Sequence, residues 1–389
     1  MHTTTVPRDG RLSGQNARVA AVTFVESART LLADAGLVPA RLTIADGHIV
    51  AVDRLGPADS PPDDSTVLGP SFVDLQVNGV DEHDVWEIAL AGDVGAWDAL
   101  SELLIDAGVG AWCPTLISSP LDTYPAALGF LAARTNDPQV LGVHLEGPFL
   151  GSAPGAHRVE TVREPEAVNE FVGGLGTSPA LMTIGCEHPG SVAAIRQLTD
   201  RGVVVSLGHT RPDRAGYEAA VAAGARMVTH LFNAMGGLGH RDPGLSAWAL
   251  RDDRVVAGLI ADGVHVHPDM VEFAFHCKPD GIALVTDAVA WRSGRVGSVV
   301  VGTAAPDGAP RLADGTLAGS NATMSRCLRT CVAAGVPLER AWHAATRTPS
   351  RVMGRFDRGV VAVGARADLV RLDERLEPVA VWSMGTRVR

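Results

Sequence analysis

The sequence predicts an α/β protein: a parallel barrel of eight strands ringed by helices, joined to a small β domain built from both ends of the chain. Three observations predict it. Eight short apolar runs recur between residues 72 and 286, most of them separated by a stretch with helix signals. The segments on either side of this region have a different, strand-and-turn rhythm. No Gly-x-Gly-x-x-Gly follows the first run, which counts against a doubly wound open sheet, the alternative for alternating strands and helices.

At 389 residues the chain has room for one large enzyme domain and a smaller companion. Hydrophobic residues make up 46% and charged residues 20%, a balance that supports a sizeable core and argues against disorder. The formal net charge of −11 excludes a general nucleic-acid binder, because no basic surplus exists to neutralise phosphates. A small anionic substrate stays open, since one or two local cations hold a single phosphate whatever the overall sign. Cys113, Cys186, Cys277, Cys327 and Cys331 include no Cys-x-x-Cys pair. Cys327 and Cys331, four apart in a helical pattern, are expected as small buried apolar groups. A reducing compartment, the cytoplasm, is therefore expected. Residues 1–10 lack the charged-then-apolar pattern of a secretory signal, and no run approaches the roughly 20 apolar residues of a membrane span.

Taken in order, residues 42–52 read as two strands around the Asp46-Gly47 turn, a strong hairpin signal. A polar, Pro-rich joint follows at 57–65. The eight apolar runs are 72–77, 111–117, 140–145, 181–186, 203–207, 227–231, 255–260 and 282–286. Between them, Pro212-Asp213 precedes a helix that ends at Gly224, and Pro268-Asp269 opens another. Residues 359–363, 367–372 and 379–384 are strand-like again, mirroring the beginning of the chain.

The informative residues stand at the ends of the apolar runs. The first ends in Gln76-Val77-Asn78, the third carries His144 and Glu146, and the fifth leads to His209. The sixth carries His230, the seventh leads into Asp262 and His265, and the eighth ends in Asp287. In a parallel barrel these ends converge on one mouth, and His, Glu and Asp are the usual donors to a divalent ion of the zinc, iron or manganese kind. Taken singly, each histidine is more often a hydrogen-bonded core residue, Glu146 a loop cap and Asp287 a helix N-cap. Such accidents would scatter over both strand ends. The shared position favours a joint site. His2, His48, His267, His276 and His343 are better explained by surface, turn or helix positions.

A divalent ion held by one carboxylate and two imidazoles keeps positions open for water and for a carbonyl oxygen. Asp287 is the candidate to take the proton of the attacking water and return it to the leaving nitrogen. His265 is a candidate for a second polar contact, on the developing oxyanion or on the substrate. Arg241 follows the glycine-rich loop at 233–240, where phosphate recognition competes with an ordinary surface role.

The segments His144-Leu145-Glu146-Gly147-Pro148-Phe149, Gly155-Ala156-His157, Gly208-His209-Thr210 and Thr229-His230-Leu231-Phe232-Asn233-Ala234-Met235 strongly resemble N-acetylglucosamine-6-phosphate deacetylases, of the amidohydrolase superfamily. So do His240-Arg241-Asp242-Pro243-Gly244-Leu245, Ala261-Asp262-Gly263-Val264-His265, Leu284-Val285-Thr286-Asp287-Ala288, Leu317-Ala318-Gly319-Ser320 and Gly364-Ala365-Arg366-Ala367-Asp368-Leu369-Val370. The resemblance implies a distorted (β/α)8 barrel of the TIM type at 69–349, with a small β-sandwich domain formed by 1–68 and 350–389. It implies a homodimer that hydrolyses an N-acetyl amino-sugar 6-phosphate to the amine and acetate. Glu146, His209 and His230 would hold the metal and Asp287 would be catalytic. Ala156, His157, Asn233, Ala234, Arg241, His265, Leu317, Ala318 and Gly319 would contact substrate.

Two departures bear on this expectation. Many superfamily members carry His-x-His after the first strand and bind a second metal there. Gln76-Val77-Asn78 offers neutral amides instead, so one divalent ion per subunit is expected, zinc first and iron, manganese or cobalt as alternatives. The loop Val80-Asp81-Glu82-His83-Asp84-Val85-Trp86 is bulkier and more acidic than the glycine-rich loop usual in relatives, which bears on substrate choice. The competing readings are a deacetylase of another N-acyl amino sugar or amino acid, and a catalytically silent sugar-phosphate-binding paralogue. Cyclic-amide hydrolases, which often use a carbamylated lysine, fit poorly: lysines are very few, and Lys278 is not at a strand end.

Overall fold

The Asp46-Gly47 pair turns the chain as its composition demands, with φ of +49° and +77°, the left-handed pair that a tight hairpin requires. It joins β2 (Gly36–Ala45) to β3 (His48–Arg54), and β2 also pairs antiparallel with β1 (Thr23–Leu32). These coordinates are a computed structural model that describes residues 22–62, 65–302 and 307–389. His2 and the segment 1–10 lie outside the described residues.

After β4 (Val67–Pro70), which lies parallel to β1, the chain enters the barrel at β5 (Phe72–Val77). A short hairpin, β6 (Gly79–Val80) and β7 (His83–Asp84), follows. The remaining barrel strands are β8 (Val109–Ile117), β9 (His144–Glu146), β10 (Leu181–Ile184), β11 (Val204–Leu207), β12 (Met227–Val228), β13 (Val256–Leu259) and β14 (Ile282–Leu284). All neighbours in this eight-stranded sheet are parallel. A second hairpin, β15 (Arg295–Val296) and β16 (Val299–Val300), precedes the last helices. The chain closes with β17 (Leu369–Leu372), β18 (Pro378–Ser383) and β19 (Thr386–Arg387).

The expected helices are present. Asp213 caps the helix Arg214–Ala223 by accepting from the Gly216 N–H, and Gly224 ends it. Pro268 starts the helix Pro268–Cys277, with His267 accepting from the Asp269 N–H as its cap. Cys327 and Cys331 are fully buried on the helix Met324–Ala333, and none of the five cysteines is bridged.

Strands from both chain ends form one hydrogen-bonded sheet, ordered β19-β18-β17-β4-β1-β2-β3. Its two wings face each other: Leu42 and Ile49 share an apolar cluster with Leu369, Ala380 and Trp382. The sandwich is thus one sheet folded over its own core.

The barrel is nearly closed, and the seam lies between β5 and β14. At the C-terminal rim Val77 bridges to Ala288, whose carbonyl accepts from the Asn78 and Gly79 N–H groups at 2.7 and 3.1 Å. Lower down, the buried carboxylate of Asp74 accepts from the Thr286 N–H at 3.2 Å and from its hydroxyl at 2.5 Å. Further toward the N-terminal end, the Val73 N–H donates to Ala345, and the helices Leu338–Ala344 and Arg347–Val352 wedge against β5 and β14.

Candidate metal centre and catalytic cavity

β12 and β14 stop short of the apolar runs 227–231 and 282–286, where His230 and Asp287 turn the chain. Glu146 is the last residue of β9, while His209, His230 and Asp287 lie just beyond β11, β12 and β14. The latter three have φ of +50°, +31° and +50°. Side chains other than glycine rarely hold this conformation, at a cost of about 1–3 kcal/mol each, and such residues cluster at functional sites.

The three proposed ligands meet. Glu146 Oε1 lies 3.1 Å from His209 Nε2 and 3.0 Å from His230 Nε2, and the two Nε2 atoms are 3.0 Å apart. Among the described residues this is the group of three or more side chains placed to hold a metal ion. Bonds of ~2.0–2.1 Å in a tetrahedral site set neighbouring donors roughly 3.3 Å apart, close to these separations. His209 Nδ1 faces the Ala153 carbonyl at 3.1 Å, so its proton sits there and Nε2 keeps a lone pair. Among the described residues, the buried His230 Nδ1 meets no hydrogen-bond partner. Burial alone would raise the Glu146 pKa, but the adjacent His209 and His230 rings hold it well below the usual carboxylate range. One carboxylate and two imidazoles so disposed fit a divalent ion.

Asp287 stands beside this cluster. Gln76 Nε2 donates to Glu146 Oε1 at 2.9 Å and to Asp287 Oδ1 at 3.1 Å, and Asn78 Nδ2 donates to the same Oδ1 at 2.8 Å. The amides therefore present N–H groups to the two carboxylates, not ligand lone pairs to an ion. Burial, then the negative charge of Glu146, pushes the Asp287 pKa well above its ordinary value.

Two further histidines have fixed tautomers. The Ser118 N–H donates to His157 Nδ1 at 3.3 Å, so His157 carries its proton on Nε2, 3.9 Å from Glu146 Oε2. Burial, then the neighbouring His209, lowers the His157 pKa to about 3, which leaves a neutral donor. His265 Nδ1 lies 2.8 Å from Asp262 Oδ2, and the Asp262 Oδ1 accepts the backbone N–H groups of Val264 and His265. Asp262 is thus the residue that orients His265.

Glu146, His209, His230 and Asp287 line one cavity of about 250 Å³ with Ala156, His157, Asn233, Ala234, His265, Leu317, Ala318 and Gly319. Arg241 does not line it. That residue is exposed, on the loop that leaves the cavity after Ala234. The loop 80–86 also stays out of the cavity. Asp84 turns inward to cap the helix Val85–Ala91, Asp81 pairs with Arg292, and Trp86 packs behind the β15–β16 turn at Gly297. Sequence reasoning missed the apolar wall opposite the polar groups, where Val296 and Val299 of β15 and β16 cluster with Ile117, Val289 and Ala318. Its signal was Val296-Gly297-Ser298-Val299, a Gly-Ser turn between valines.

The model of the amidohydrolase family matches residues 67–388. The chain belongs to that family. This amidohydrolase, a hydrolase acting on an amide bond, is 35% identical over 374 residues to an N-acetylglucosamine-6-phosphate deacetylase of Danio rerio, covering 89% of this chain and 92% of that one. It is 34% identical over 380 residues to an N-acetylgalactosamine-6-phosphate deacetylase of Escherichia coli O157:H7, covering 94% and 99%. Among solved structures, it matches a Mycobacterium smegmatis N-acetyl-D-glucosamine-6-phosphate deacetylase variant, in complex with N-acetyl-D-glucosamine-6-phosphate. The TM-score there is 0.86 at 30% identity, over 95% of this chain and 99% of that one. The N-acetylglucosamine-6-phosphate deacetylase of Thermotoga maritima matches with a TM-score of 0.85 at 29% identity, over 94% and 99%.

Proposed function

We propose that this amidohydrolase removes the acetyl group of N-acetylglucosamine 6-phosphate or a close amino-sugar phosphate, giving the free amine and acetate. The observation that carries this reading is the convergence of Glu146, His209 and His230 beside Asp287 in one cavity. Relatives that span nearly its whole length are named for this reaction on the gluco and galacto sugars.

In this reading Glu146, His209 and His230 hold one divalent ion per subunit, zinc by first choice. Such an ion acidifies water and polarises an amide carbonyl when bound. Asp287 does the proton work. Its Oδ1 takes both amide hydrogen bonds, so Oδ2 is the oxygen that accepts a proton from water and passes it to the leaving nitrogen. A raised pKa suits a group that must hold a proton part-way through the cycle. His157 and His265 present ring N–H groups or lone pairs at Nε2 to substrate oxygens. Asn233, Ala234, Ala156 and the Leu317, Ala318 and Gly319 stretch shape the sugar's seat. Arg241, without an ion pair among the described residues, is the cation assigned to the phosphate. The proposal includes a homodimer, as the resemblance implies, in the cytoplasm, which five unbridged cysteines support.

Acetate release from a panel of N-acetyl amino-sugars, with and without the 6-phosphate, tests the reading. Turnover of the phosphorylated gluco or galacto sugar well above the others is expected. No acetate from any of them, with metal bound, would leave a silent binding protein.

A further inference from the structure

We propose that a small phosphate-type oxyanion binds a second cavity, at the opposite end of the barrel from Asp287, between Arg340, Arg347 and Arg351. This cavity, about 110 Å³, is walled by the two helices that wedge into the seam, by Val256 at the start of β13 and by the Pro279-Asp280 turn that leads into β14. Asp287 lies past the other end of β14. The two cavities are therefore separate.

The cationic residues recur at helical spacing on consecutive turns, Arg340 and His343 on one helix and Arg347 and Arg351 on the next, so that they share one face. Among the described residues none of the three guanidinium groups makes an ion pair or a hydrogen bond. Other arginines of this acidic chain take carboxylates, as Arg254 takes Asp252 and Glu218, or backbone carbonyls, as Arg226 takes those of Val221 and Ala225. Here three guanidinium groups surround one hollow.

Asp280 lines the hollow, one carboxylate against the three guanidinium groups, and Glu339 lies near His343. Burial, then the charge of Arg351, lowers the Arg347 pKa, and burial, then Arg347, lowers that of His343. A doubly charged tetrahedral anion would relieve that repulsion and use the paired N–H groups that guanidinium presents to phosphate. Thr348 stands in the same wall. The volume suits a phosphate group. Inorganic phosphate would enter whole, whereas a sugar phosphate would leave its ring outside.

Calorimetric titration of the full-length protein at low ionic strength tests this, first with inorganic phosphate and then with glucosamine 6-phosphate. R347S/R351S is expected to lose one binding event, or to weaken it by about tenfold or more, while basal amide hydrolysis is unchanged. Loss with inorganic phosphate names the free ion as ligand, and loss only with the sugar phosphate names the monoester. Equal uptake of both ligands by the native protein and the variant would overturn the proposal. Should the double variant lose its circular-dichroism spectrum, Arg340→Ser, at an exposed position, carries the same comparison.

Discussion

Gln76 donates through one amide nitrogen to both Asp287, at 3.1 Å, and Glu146, at 2.9 Å. The tie spans the seam and joins the proposed proton carrier to a proposed metal ligand. Replacing it with a side chain of similar size but no N–H, Gln76→Leu, should lower both kcat and metal affinity by about 10- to 100-fold, the usual effect of removing an outer partner of a ligand. Chelator competition and steady-state kinetics read the two effects. Unchanged values of both would show that the amide is a bystander.

Asp287→Asn keeps the shape of the side chain while removing its capacity to shuttle a proton. Metal content and the circular-dichroism spectrum should match the native protein, and kcat should fall by roughly 10² or more. Near-native turnover would exclude the proton role.

Prolonged dialysis against a strong chelator should abolish acetate release, and added zinc should restore it. The same addition should raise Tm, because a ligand at 100 times its Kd contributes about 2.7 kcal/mol. His209→Ala should show little of this thermal shift. A full shift in that variant would place the ion elsewhere.

Asp74 predicts a pH dependence of stability. Burial raises its pKa from 3.8 to about 6 in the folded chain. Below pH 3.8 folded and unfolded chains both carry the proton; between 3.8 and about 6 only the folded chain does, so stability falls as pH rises. Above pH 6 a contribution on the order of 3 kcal/mol is gone. Asp74→Asn should flatten this part of the curve, leaving the similar contribution of Asp84, which burial also raises to about 6. Denaturant melts from pH 4 to 8 compare the two proteins. Identical slopes would mean that the carboxylate is ionised throughout.

The barrel was legible because its strands fall in mostly apolar runs, and because the proposed site residues stand near the ends of those runs. Caps such as Asp213 and turns such as Asp46-Gly47 act through their own neighbours in sequence, so they too could be read directly. What the sequence hid is set by distant contacts. The left-handed backbone of His230 and Asp287 is imposed by the surrounding fold, and it shortens the strands. Gln76 and Asn78 could be read as poor ligands, yet their role as donors depends on carboxylates 70 and more positions away. The β15–β16 wall was overlooked because two-residue strands carry almost no periodic signal.

The nearly closed cylinder has a practical consequence for anyone wishing to toughen this protein. Its fastening at the rim, Val77 to Ala288, is flanked by the side chains that Gln76 and Asn78 extend to Asp287. Breathing that parts those two edges would draw Gln76 and Asn78 away from Asp287. Amide exchange at Asn78 and Gly79, whose N–H groups meet the Ala288 carbonyl, would be an early gauge of wear. Stabilising substitutions placed far from this clasp would leave the working lifetime of the catalyst where it was.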